Sequence, residues 1–482
     1  MKKDSLKVNF VFQITYQLLM LFVPLIIAPY LTRTLGSNNL GIYAYVHSIA
    51  YYFVLFAMLG ISKYGQRLIA QCKEGSEHQR REFWSLLAVH VFFSILSIIL
   101  YLGFIVVCVR ENKEIFWFDI FYVISALFDI TWLFYGLENF RTVVYRNILV
   151  KVMECVFIFL FVKTIEDLSI YVLICSASLL LGQVALIPVV LKIIPPIHFS
   201  LDDALKHLKP LFVLTIAVLA ISLYTIFDKT LLGIFADKSY VAFYEYSDRL
   251  VKIPLTFIAV VGTVMLPRAC KMVANKDSSN SQKFYVISSW FTSIISSLTF
   301  WCLLIVGEDL AVGYLGEEFK PCGQTMLLMS PIVLIVGIGD IVRSQFLIPY
   351  GRDKLYTISI CISALLNILI SLLLLIHLPD QLKIIGVIIG TFFAETFGTA
   401  FQFFACRDII SFKKVIPPVL ISFVIGAMMA GVVFSVKLFL PKALVFTLLL
   451  VLLAICVYLA ILSIYAIFVK DLKHIIFNII RK

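Results

Sequence analysis

The sequence predicts an all-α polytopic membrane protein of about 14 transmembrane helices, arranged as two pseudo-symmetric six-helix bundles plus two C-terminal helices. Three observations predict it. The chain has 482 residues, of which 61% are hydrophobic and 14% charged, and its mean hydropathy is +1.01. A water-soluble protein of this size needs a far more polar surface. Apolar segments of roughly 20 residues recur along the whole chain, each long enough to cross the hydrocarbon layer as a helix. Lys and Arg collect in every second connection.

The spans lie at approximately 9–31, 40–62, 84–109, 116–135, 147–164, 169–192, 210–235, 240–265, 284–305, 324–348, 354–376, 382–405, 415–437 and 442–469. Met1 to Lys7 is basic, but the apolar run behind it continues to Leu31 without a small-residue cleavage site, so it reads as a retained first span. Pro24 and Pro29 interrupt that span, and Pro254 interrupts the eighth; proline frees carbonyls and bends helices. The fifth span is the most polar, with Lys151 and Glu154 one turn apart and able to pair on an inward face. Segment 199–209 reads as an interfacial helix with Ser200 as its N-cap, and the tail 470–482 has a similar apolar face.

With the N-terminus placed in the cytoplasm, internal segments hold roughly threefold more Lys and Arg than external ones. Both termini are then cytoplasmic. The net charge of +11 follows from this bias and does not call for nucleic acid. The longest external loop, near Gly307 to Gly323, is too short for a soluble domain.

A weak internal repeat is present. Gly41-x-Tyr43-x-Tyr45 matches Ala242-x-Tyr244-x-Tyr246, Gly60 matches Gly262, and Asp129-Ile130 matches Asp340-Ile341, in the same order along the chain. Repeats in parallel orientation predict an N-terminal bundle over 1–195, a second over 196–408, and an addition over 409–482. Two such bundles facing a central cavity suit alternating access.

The chemistry excludes more than it assigns. Ten cysteines and seven histidines have no metal-ligand spacing, and there is no Walker loop. Glu317-Glu318 reads as a solvated loop pair. No catalytic residue, metal or cofactor is expected, and the chain does not read as an enzyme. Ionisable residues inside spans are costly and therefore informative. Lys229, Arg249, Lys252 and Arg343 are the candidate substrate-binding cations. Arg249 and Lys252 share one face of the eighth span with fewer acids than bases nearby, which predicts a cationic cavity for an anionic group such as a pyrophosphate. Asp129, near the middle of the fourth span, and Asp228, Asp340 and Glu395 are candidates for ion pairing or for protonation during a cycle.

The stretches PLIIAPYLTRTLGSNNLGIYAYVHSI (24–49), DKTLLGIF (228–235), FYEYSDRLVKIPL (243–255), VMLPR (264–268), YLGEEFKPC (314–322) and SQFLIPYGRDKLYTISICISALLNILI (344–370) resemble polysaccharide-repeat-unit flippases of the Wzx type. These belong to the multidrug/oligosaccharidyl-lipid/polysaccharide export superfamily, and the resemblance reaches to about residue 405. Arg249 stands where many such chains carry Lys, while Tyr246-Ser247-Asp248 ahead of it departs from their pattern. The resemblance implies a multi-pass protein of the bacterial cytoplasmic membrane. Its substrate would be an undecaprenyl-pyrophosphate-linked oligosaccharide, flipped for O-antigen, capsule or exopolysaccharide assembly. Implied partners are that polyprenyl-linked substrate, membrane lipids, and the polysaccharide polymerase and chain-length machinery. The lipid-linked peptidoglycan precursor is disfavoured, because the first span has no Arg before Arg33. The alternative is a multidrug or small-molecule exporter of the same superfamily.

Overall fold

The computed structural model describes residues 6–275, 278–409, 413, 416–441 and 443–468. These residues are helical with short connections, and the tail expected to form an interfacial helix lies outside them. By internal contacts the chain divides into a unit over Met1–Gly233 and a unit over Ile234–Lys482. Ten described helices are long and apolar enough to cross a membrane.

The first unit contains α1 (Leu6–Met58), α2 (Ile61–Gln71), α3 (Glu77–Val107), α4 (Lys113–Leu127), α5 (Thr131–Gly136), α6 (Phe140–Phe161), α7 (Leu168–Val184), α8 (Ile187–Ile193), α9 (Leu201–Leu205) and most of α10 (Leu208–Phe235). The first two expected spans form α1, broken at Gly36, whose φ of 73° and ψ of 173° leave the helical region. Pro24 and Pro29 lie inside the helix ahead of that break.

The connection after α1 folds rather than looping. Ile61, Tyr64 and Ile69 recur at helical spacing and are buried, so α2 forms on a face that packs against α5. The core here is built on Trp132, fully buried with Phe83, Leu86 and Leu133. Gly65 permits it, because a Cβ there would lie 2.5 Å from the Trp132 ring.

The expected helix over 199–209 is only α9, capped as predicted by the Ser200 hydroxyl, which accepts from Asp203 N at 3.2 Å. It ends where His207 turns inward, fully buried between the Tyr64 hydroxyl at 2.9 Å and Ser85 Oγ at 3.0 Å. Residues 196–233 thus make described contacts with the first unit, including Ser48 to Thr230 at 2.9 Å.

The second unit contains α11 (Lys238–Ala274), α12 (Ser278–Leu310), α13 (Pro321–Val342), α14 (Asp353–His377), α15 (Lys383–Ala405), α16 (Ile416–Lys437) and α17 (Leu444–Phe468). A π-helical turn, Arg343–Leu347, follows α13. Small residues let these helices approach closely, as membrane helices require. α12 presents buried Ser288, Ser289, Thr292, Ser293, Ser296 and Ser297, with Ser297 Oγ donating to Ser422 O at 2.7 Å. α16 and α17 pack on α12 through Trp290, Ile425, Met429, Leu450 and Tyr458.

Candidate functional site

The charges on α11 follow helical spacing. Arg249 Nε donates to Glu245 Oε1 at 2.7 Å, and Lys252 Nζ donates to Asp248 Oδ2 at 2.7 Å. Each cation therefore has an acid one turn before it, which overturns the expected excess of bases here. Glu245, four residues before Arg249, is the acid that a count of the nearest neighbours passes over, although its spacing is readable in the sequence. The cations nevertheless stay open: the Arg249 and Lys252 side chains are 42% and 50% exposed, against 11% and 17% for their acids. The Arg249 guanidinium also lies 5.4 Å from the centre of the Tyr246 ring.

Further along, Gly262 of α11 meets α13, where a Cβ would come 2.7 Å from Asp340 Oδ2. Asp340 pairs with Arg343, one turn on, as the sequence spacing allows. Arg343 Nη1 also donates to the Tyr356 hydroxyl at 3.3 Å, and its guanidinium lies over that ring. Its side chain remains 38% exposed. Lys252 and Gly262 are ten positions apart on one helix, so Lys252 and the Asp340–Arg343 pair lie roughly 15 Å apart along the α11 axis. The second unit thus offers half-exposed cations at two depths.

In the first unit, Asp228 is buried on α10, Lys229 half-buried beside it, and Thr230 bonded to Ser48 and Tyr52 of α1. Lys151 donates to both Glu154 oxygens at 2.8 Å, as the spacing predicted. Asp129 was expected in mid-helix. It lies instead in the break between α4 and α5, where Oδ1 accepts from Thr131 N at 3.0 Å and from Thr131 Oγ1 at 2.6 Å. An Asp side chain that accepts from the backbone two residues on favours a turn over continued helix, which hydropathy alone does not register. Glu395 is half-buried on α15. Nearby in that unit, Asn367 donates to Thr391 Oγ1 at 3.1 Å, a bond between packed helices.

Comparison with known proteins supplies the family. The description "Polysaccharide biosynthesis protein" matches residues 6–273, more than half of the chain. The chain belongs to this polysaccharide biosynthesis protein family. It is similar to a candidate O-antigen transporter of Shigella dysenteriae, 25% identical over 80% of this chain and 96% of that protein. A second candidate O-antigen transporter, from Escherichia coli strain K12, is 23% identical over 84% of this chain and 98% of its own length. Among solved structures, the lipid II flippase MurJ in an inward closed conformation matches with TM-score 0.75 at 16% identity, over 95% of this chain and 98% of that one. That likeness concerns the fold. The Wzx-type resemblance read from the sequence, and the all-α multi-pass membrane architecture, are borne out together.

A second pair escaped the sequence reading in this polysaccharide biosynthesis protein. Asp119 of α4, only 1% exposed, faces His47 of α1 at 3.3 Å. The partners are 72 residues apart, so no local spacing announces them.

Proposed function

We propose that this protein flips a polyprenyl-pyrophosphate-linked oligosaccharide repeat unit from the cytoplasmic to the outer leaflet of the bacterial cytoplasmic membrane, by alternating access, with both termini cytoplasmic. The observation that carries the reading is the row of half-exposed cations on α11 and behind α13, in a chain of this family. A diphosphate presents several anionic oxygens at once and suits Arg and Lys donors. Arg249 and Lys252 form one contact point and Arg343 another, so the head group has two cationic stations to move between. Lys229, on α10 of the first unit, is carried as a further candidate substrate-binding cation. Glu245, Asp248 and Asp340 hold Arg249, Lys252 and Arg343 in neutral pairs when no substrate is bound, and Asp228, Glu395 and Asp129 are carried as coupling or pairing groups. The product feeds the polymerase and chain-length machinery.

The test is deletion of the gene in its host, with assay of surface polysaccharide and extraction of polyprenyl-linked intermediates. The expected result is loss of polymer with intact repeat units accumulating on the cytoplasmic leaflet. Normal polymer with no accumulated intermediate would overturn the reading.

A further inference from the structure

The geometry points to His47 and Asp119 as a proton-carrying pair inside the first unit, a coupling site separate from the candidate cations; this rests on the transporter reading. Asp119 is sealed at 1% exposure in α4, whereas the His47 ring, on α1, is 33% exposed. Its Nδ1 lies 3.3 and 3.4 Å from the two carboxylate oxygens. The ring is stacked between Tyr122, with centroids 4.3 Å apart, and Tyr43, 5.3 Å apart.

The charge balance explains why such a pair would move a proton. With neutral imidazole donating from Nδ1, the pair carries one net negative charge in a low-dielectric setting. A proton arriving at Nε2 makes an imidazolium–carboxylate pair with no net charge. Both states are accessible to histidine near neutral pH, and burial penalises the unbalanced one. The buried carboxylate fixes the ring and the exposed side of the ring takes up or releases the proton.

The neighbours leave room for this exchange. Tyr43 comes from the same helix, Tyr122 from α4, and Tyr101 from α3 lies within electrostatic reach of Asp119. Tyr171 and Cys175 of α7 and Glu154 of α6 lie within electrostatic reach of Tyr43. Asp129 lies within reach of Tyr122. Lys151 is occupied by Glu154 at 2.8 Å. Among the described residues, His47 is the basic side chain that contacts Asp119.

The test separates a titrating pair from a structural one. His47→Lys keeps a cation opposite Asp119 but cannot release its proton near neutrality. The expected result is normal membrane levels of protein with surface polysaccharide reduced to that of the deletion strain. His47→Gln and Asp119→Asn should do the same, and Asp119→Glu should retain polysaccharide. In parallel, detergent-solubilised protein with 13C-labelled histidine is titrated by NMR over about pH 5 to 8. One imidazole resonance, absent in His47→Gln, should titrate there and lose proton affinity in Asp119→Asn. Wild-type polysaccharide in His47→Lys, or a His47 resonance indifferent to Asp119→Asn, overturns the proposal. If the deletion strain itself keeps its polymer, the flippase reading fails, while the NMR titration still decides whether this pair binds a proton.

Discussion

Removing Glu245 and removing Arg249 should shift pyrophosphate binding in opposite directions. The Arg249–Glu245 contact is 2.7 Å long, but the arginine is 42% exposed, so the pair is screened. Half-exposed pairs of this kind contribute about 0–1 kcal/mol. Glu245→Gln therefore releases Arg249 from a weak competitor and should tighten binding of a diphosphate by up to about fivefold. Arg249→Gln removes a charged hydrogen bond to the ligand, worth about 1.5–3 kcal/mol, and should weaken binding by roughly 10- to 150-fold. The assay is titration of purified protein with farnesyl pyrophosphate, a soluble probe carrying the same head group, at fixed ionic strength. Raising the salt should shrink both effects, since exposed charges are screened over about 8 Å at physiological ionic strength. Unchanged affinity in Arg249→Gln would refute the assignment. Weaker binding in Glu245→Gln would refute the competitor role and make Glu245 the group that positions the guanidinium.

Three further outcomes are expected. Glu154→Gln strands the Lys151 ammonium and should cost about 3–5 kcal/mol, whereas Lys151→Met with Glu154→Gln should recover most of it, read by thermal unfolding of detergent-solubilised protein. Gly390→Ala should lower the melting temperature or the membrane level, because a Cβ there overlaps Ser371 Oγ and lies 3.1 Å from Ser371 N, while Gly431→Ala, with nothing within 4 Å, should be silent. The two-toothed contact of Arg352 with Asp408 holds the Asp408 carboxyl below its usual range. This joint between α14 and α15 is therefore complete above the ordinary aspartate range and is lost as pH falls through the lowered value; hydrogen-exchange protection at Leu355 and Tyr356, taken relative to the intrinsic rate at each pH, should fall at acid pH, and Asp408→Asn should abolish that dependence.

What the sequence made legible was whatever depends on spacing within one helix. Lys151 and Glu154, Asp340 and Arg343, and the Ser200 cap all sit three residues from their partners, and each forms the contact its spacing allows. The existence of ten spanning helices was legible too, because hydrocarbon length and backbone satisfaction leave few alternatives. Asp129 shows the limit. Its surroundings are apolar apart from Ser125 and Thr131, so periodicity continues through a point where the helix stops and restarts. His207 and the His47–Asp119 pair show another. Their partners arrive from other helices, and nothing in the flanking residues records which face those helices will present. Packing at Gly65 was equally silent, since its reason is the Trp132 ring, 67 positions away in sequence.

The pairing on α11 meets two demands that pull against each other. An arginine or lysine at the centre of a spanning helix costs about 2.5–3.5 kcal/mol on insertion scales, so three unpaired cations would burden the fold. An acid one turn earlier on the same helix offsets part of that cost locally, before any other helix has docked, because residues at this spacing already face each other. A partner on a different helix would stabilise only the finished structure and would draw the cation into the interior. With acids at Glu245 and Asp248, the acids take the sheltered positions and the cations keep the open ones. Asp340 and Arg343 repeat the arrangement at the start of a π-helical turn. On the proposed reading an arriving diphosphate would compete for cations already neutralised, so binding would be weaker than at bare charges. For a flippase this weakness is useful, because a head group held by several unpaired buried cations would bind but would not be released on the other side.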